Sequence, residues 1–97
     1  MKAYRVTVKE IGVYEYYRTN VDFETWKKFL KSDAAKWLPK PPYYSGENRS
    51  YFTQKGFEMF SMLTMPTFNK LGKLDIETLD VQDDAIVYQD AYQIVTK

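Results

Sequence analysis

Histidine and cysteine are both missing from this chain of 97 residues. Histidine is the usual general base near neutral pH and the commonest metal ligand. Cysteine is the strongest ordinary nucleophile and the soft metal ligand. Without either, no disulfide or zinc staple can support the fold, and nothing in the chain needs an oxidising compartment. Glycines number four and stand apart, so no phosphate-cradling GxGxxG or GxxxxGK[ST] loop exists. Arginine occurs three times, too rarely for extensive readout of base edges. No apolar run approaches the roughly 20 residues that span a bilayer. Met1-Lys2-Ala3-Tyr4-Arg5 leads into a strand-like alternation rather than the apolar core of a signal peptide. These absences argue against an enzyme and against a membrane partner, and they make the cytoplasm the expected location.

What the chain has is aromatic mass. Seventeen residues are aromatic and nine of these are tyrosine. Tyrosine suits contact surfaces, offering a rigid apolar ring, a polar tip and few rotors to freeze. Apolar residues make up 44% of the chain, enough for one compact domain. Such a domain has a stability on the order of 5–10 kcal/mol. Net charge is +1 but unevenly spread. Residues 1–70 hold 12 Lys/Arg against 7 Asp/Glu, and residues 71–97 hold 2 against 6. Either the halves compensate each other in the fold, or the surface is dipolar and steers a partner.

Periodicity predicts an α+β domain of two layers, with an antiparallel sheet of about three strands and two main helices in the order β-α-α-β-β. Residues 3–9 alternate as a half-buried strand, with Tyr4, Val6 and Val8 on one face. Residues 13–19 carry both strand propensity and a helical spacing of Val13, Tyr16 and Tyr17, and lean to helix. Residues 22–38 form the clearest helix, capped by Asp22 and ended by Pro39. Phe23, Trp26, Phe29, Leu30, Ala34, Trp37 and Leu38 make its apolar stripe. Residues 39–50 are a loop with a stiff, proline-rich start. A second helix covers 54–65, capped by Thr53, with Phe57, Phe60 and possible support from Met59, Met62 and Leu63 facing inward. Two strands then form a hairpin around the turn Gln82-Asp83-Asp84, the second running from Ile86 through Val95.

The constellations that could carry chemistry are few. Asp80, Asp83 and Asp84 cluster at a turn with the right oxygens for calcium, but the EF-hand spacing is missing and a solvated acidic turn is the simpler reading. Glu58 lies between Phe57 and Met59, yet helical geometry turns it outward, so no catalytic carboxylate pair is expected. Lys27, Lys28 and Lys31, with Lys36, Lys40 and Arg49, could meet phosphates while Tyr43 and Tyr44 stack on bases. The same lysines could equally be a solvated helix face. A stiff proline-rich entry also presents Tyr43 and Tyr44 to a protein partner at little ordering cost. Exposed strand edges permit a homodimer by sheet extension.

Four stretches look familiar: Lys2-Ala3-Tyr4-Arg5-Val6, Trp37-Leu38-Pro39-Lys40, Ser50-Tyr51-Phe52-Thr53-Gln54-Lys55-Gly56 and Val87-Tyr88-Gln89-Asp90-Ala91-Tyr92-Gln93-Ile94. Together they resemble small uncharacterised proteins of bacteriophages and mobile elements of Gram-positive bacteria. That resemblance implies an inhibitor of host defence, a group that includes anti-CRISPR proteins. A second likeness joins Tyr4-Arg5, Ser50-Tyr51-Phe52-Thr53 and an acidic late strand, which resemble the Arg, Ser-x-Thr and Glu order of ADP-ribosyltransferases. In that family the Arg and Ser elements hold NAD. Here the late strand offers Gln89 and Asp90 but no Glu, so the likeness implies at most an inactive relic.

The expectation is a non-catalytic protein-binding module without cofactor or metal. A host protein is its partner, and Tyr43, Tyr44, Arg49, Lys27, Lys28 and Lys31 supply the contacts. A nucleic-acid-binding module using the same lysines is the alternative.

Overall fold

The structure, a computed structural model, describes residues 1–40 and 48–97. It is a mixed α+β fold in which helices cover one face of a curled antiparallel sheet. Six strands and five short α-helices stand among the described residues, more of each than periodicity suggests.

Strand β1 (Lys2–Val8) organises the sheet. One edge pairs along its length with β4 (Asp75–Asp80), from Lys2↔Asp80 to Thr7↔Asp75. The other edge is shared. Its C-terminal end pairs with β2 (Ile11–Gly12) through Thr7↔Gly12 and Val8↔Ile11, whereas Tyr4 pairs with Phe52 of β3 (Arg49–Phe52). Beyond β3 lie β6 (Gln93–Thr96) and then β5 (Ile86–Gln89). The β1–β2 connection is a two-residue hairpin in which Lys9 (φ 51°) and Glu10 (φ 70°) both adopt positive φ. This matches a type I′ turn, whose twist suits the flanking strands.

The expected hairpin around residues 82–84 does not form. Strand β4 leaves to pair with β1, while the run from Ile86 to Val95 folds on itself as the β5–β6 hairpin. Asp90 makes that second turn. Its carboxylate accepts from the amides of Tyr92 (2.8 Å) and Gln93 (3.0 Å), from the Tyr88 hydroxyl (2.9 Å) and from Gln93 Nε2 (3.0 Å). Burial alone would raise the Asp90 pKa, but these hydrogen bonds outweigh it and hold the group below its ordinary value.

The segment open between helix and strand is α1 (Val13–Asn20). The long helix expected over residues 22–38 is broken. Asp22 caps α2 (Phe23–Lys31), accepting from the Thr25 amide at 2.8 Å. Ser32, in extended conformation at ψ 160°, then interrupts the helix before α3 (Asp33–Lys36). The Ser32 hydroxyl donates to the Phe29 carbonyl at 2.6 Å, a local bond that competes with the helical ladder. Thr53 caps α4 (Gln54–Leu63) by accepting from the Gly56 amide at 3.1 Å. After Thr64 the chain turns into α5 (Met65–Phe68), with Pro66 tolerated in its first turn. Gly56 is required by contact: a Cβ there would lie 1.8 Å from the Tyr92 carbonyl oxygen.

Most of the tyrosine mass is structural. None of the seven described tyrosines is fully exposed. Tyr14 and Tyr17 join Phe29, Phe60 and Phe68 in a ring cluster under the helices, with Tyr17 and Phe68 centroids 4.8 Å apart. Trp37 ties this layer together, donating from Nε1 to Thr64 Oγ1 (2.8 Å) and the Ala34 carbonyl (3.0 Å). Strand β1 is covered on both faces, not half-buried as alternation suggests. Tyr4, Val6 and Val8 meet the helix-side core, whereas Ala3 joins Val81 and Ile94 in a smaller core on the outer face, flanked by Tyr51 and Ile86. The curl of the sheet makes that second core.

Candidate functional surface

Helix α2 buries Phe29 and half-buries Trp26. Phe23, Lys27 and Leu30, at i, i+4 and i+7, form a different stripe rotated away from the core. Phe23 is 71% exposed and Leu30 48% exposed. Both belong to the apolar stripe expected to pack inward. The helix is too short, and too sharply broken at Ser32, to bury a band that wide. Met62 and Leu63 of α4, offered as buried support, are also exposed.

The lysines frame this stripe. Lys27 Nζ stands 5.3 Å from the centroid of the Phe23 ring, a cation–π arrangement that holds the exposed ring in place. Lys28 and Lys31 lie in the last turn of α2, where positive charge also suits the helix dipole. Lys28 acts on Asp22, whose pKa is lowered mainly by the Thr25 hydrogen bonds and only slightly by Lys28. Lys27 and Lys31 have no ion pair among the described residues. The acidic strand β4 is different: Asp80 lies across from Lys2 and Glu77 across from Arg5 in the β1–β4 register. The two halves of the chain therefore offset part of their charge inside the sheet, leaving Lys27 and Lys31 without an ion pair among the described residues.

The expected site residues do not form one patch. Lys27, Lys28 and Lys31 share α2, but Arg49 sits on β3 on the sheet face turned away from the helices. That follows from strand alternation, since Phe52 three residues later enters the helix-side core. Tyr43 and Tyr44 lie outside the described residues. Periodicity alone turns Phe23 and Leu30 inward, and the sequence signal for their exposure is a stripe wider than one helix face can bury.

The second set of residues meets in part. Arg5, Ser50, Tyr51 and Phe52 line one cleft between β1 and β3. Thr53 is engaged as a helix cap and in donating to the Ala91 carbonyl at 2.7 Å. Asp90 is committed to its turn. Among the described residues no cluster of acidic side chains is arranged to hold a metal ion, and no helix is long and apolar enough to cross a membrane. No protein-family model, curated protein or solved structure matches this chain.

Proposed function

We propose that the protein is a non-catalytic protein-binding module whose contact surface is the outer face of α2. The observation that carries this reading is the exposed Phe23–Lys27–Leu30 stripe bordered by Lys28 and Lys31. An aromatic and an aliphatic anchor on a regular helix fit an apolar groove in a partner, and the exposed lysines fit carboxylates at its rim. The likeness to small phage proteins supplies the setting: an inhibitor that covers a site on a host defence protein, with a CRISPR effector as one such target.

Affinity capture from host lysate, run with and without nuclease, tests this. One stoichiometric protein partner that survives nuclease is expected. The pair Phe23→Ser with Leu30→Ser should lose that partner while leaving the melting temperature unchanged or higher, because neither side chain is in the core. Each anchor should cost on the order of 1–2 kcal/mol of affinity. Capture unaffected by the double substitution removes α2 from the interface.

The same lysines support a nucleic-acid-binding module as a second reading. It requires binding that falls steeply with salt, since each neutralised phosphate releases counterions.

A further inference from the structure

The edge of β1 is divided between two strands, and the division opens the sheet. Past the single pair Tyr4↔Phe52 the β1–β3 ladder stops, because the end of β1 is taken by β2. A cleft of about 330 Å³ fills the gap, within the range of small-ligand pockets. Its two ends differ chemically. Arg5, Arg49 and Tyr51 lie at the outer-face mouth, and Val6, Val13 and Leu38 lie toward the helix-side core.

Neither Arg5 nor Arg49 has an ion pair or a side-chain hydrogen bond among the described residues. Two guanidiniums at one mouth present forked donors that match an oxyanion. Gly12 adds room beside them. Its φ of −52° is open to any residue, so the missing side chain is not a backbone requirement. A Cβ at Gly12 would meet only Arg5 Nη2, at 3.9 Å. Two carboxylates oppose an anion here: Glu15 lines the cleft, and Glu77 is the cross-strand neighbour of Arg5.

We propose that this cleft binds a small organic anion, with its oxyanion head on Arg5 and Arg49 and its short apolar body directed toward Val6 and Leu38. The site is independent of the α2 surface and lies between different elements.

The test is a titration of the isotopically labelled protein with octanoate, with phenyl phosphate and with inorganic phosphate, followed by amide chemical shifts. Saturable shifts at Arg5, Val6, Gly12, Ser50 and Tyr51 are expected with at least one organic anion. Octanoate and phenyl phosphate distinguish a carboxylate from a phosphate head. The pair Arg5→Gln with Arg49→Gln should weaken binding about tenfold or more. Glu15→Gln should tighten it a few-fold by removing a like charge. Gly12→Leu should block it with the circular dichroism unchanged, and this variant alters no charge. Absence of saturation by ~10 mM of either organic anion overturns the proposal. So does equal binding by the folded Gly12→Leu variant, or inorganic phosphate binding as tightly as both organic anions.

Discussion

Tyr14 is the residue whose burial has the clearest cost. Its ring meets Phe68 edge-on at 5.2 Å and also approaches Phe29 and Phe60. Its hydroxyl is buried without a hydrogen bond of normal geometry, and burial pushes its pKa up to about 12 despite an opposing contact with Thr64. Thr64 Oγ1 already accepts from Trp37 and donates to the Ala34 carbonyl. An orphaned buried hydroxyl costs about 1–3 kcal/mol, so Tyr14→Phe should stabilise the protein by up to about 1 kcal/mol after the loss of any weak Thr64 contact. The pH dependence has a definite sign. A folded pKa above the unfolded value near 10 means that stability is independent of this group's ionisation below about pH 10 and falls as pH rises toward 12, because the unfolded chain ionises first. Urea melts between pH 9 and 12 should therefore show a steeper alkaline loss in the wild type than in Tyr14→Phe. Parallel curves for the two proteins would mean that the hydroxyl reaches solvent and ionises as readily in the folded chain as in the unfolded one.

Elements were readable where their signals are local. Asp22 and Thr53 announce helix starts because a short polar side chain before an apolar run has an amide to accept from, and both make that bond. Tertiary demands hid the rest. Strand β3 is four residues long and adjoins a proline-rich stretch, so only its neighbours β1 and β6 reveal it as a strand. The turn at Asp90 sits inside a stretch whose apolar residues, Ile86, Tyr88, Tyr92 and Ile94, stay in phase as one strand, and one carboxylate accepting four bonds decides it. At the candidate surface, the lysines of α2 were readable, but Phe23 and Leu30 lie at the edge of the apolar stripe away from Trp26 and Phe29, which take the core. The β1–β2 turn is the extreme case, since Lys9 and Glu10 occupy positions where Asn and Gly are preferred. Lys9→Asn with Glu10→Gly should relieve that backbone cost and stabilise the protein by about 1–2 kcal/mol, with net charge unchanged. A thermal melt checks it. An unchanged or lower midpoint would mean that the turn is not held in the left-handed region.

At the scale of the whole molecule, the sheet is a wall between two unequal cores. All four residues of β6 are buried, and Ile94 is fully enclosed in the smaller outer core with Ala3 and Val81. Phe60, equally enclosed, is on the helix side. The wall links the two mechanically, because β6 bonds β3, β3 meets β1, and β1 carries β4 along its whole edge. The outer core is too small to persist alone, so the two should melt together. Ile94→Ala should cost about 2–5 kcal/mol, comparable with Phe60→Ala at about 3–5 kcal/mol, from a total on the order of 5–10 kcal/mol. Both tryptophans, Trp26 and Trp37, report on the helix layer. Their fluorescence and the far-ultraviolet circular dichroism should therefore shift by the same denaturant increment in Ile94→Ala, although Ile94 belongs to the other core. A fluorescence midpoint that stays at the wild-type value while the dichroism moves would show two separately melting halves. The α2 surface would then remain presented even when the outer face of the sheet is open.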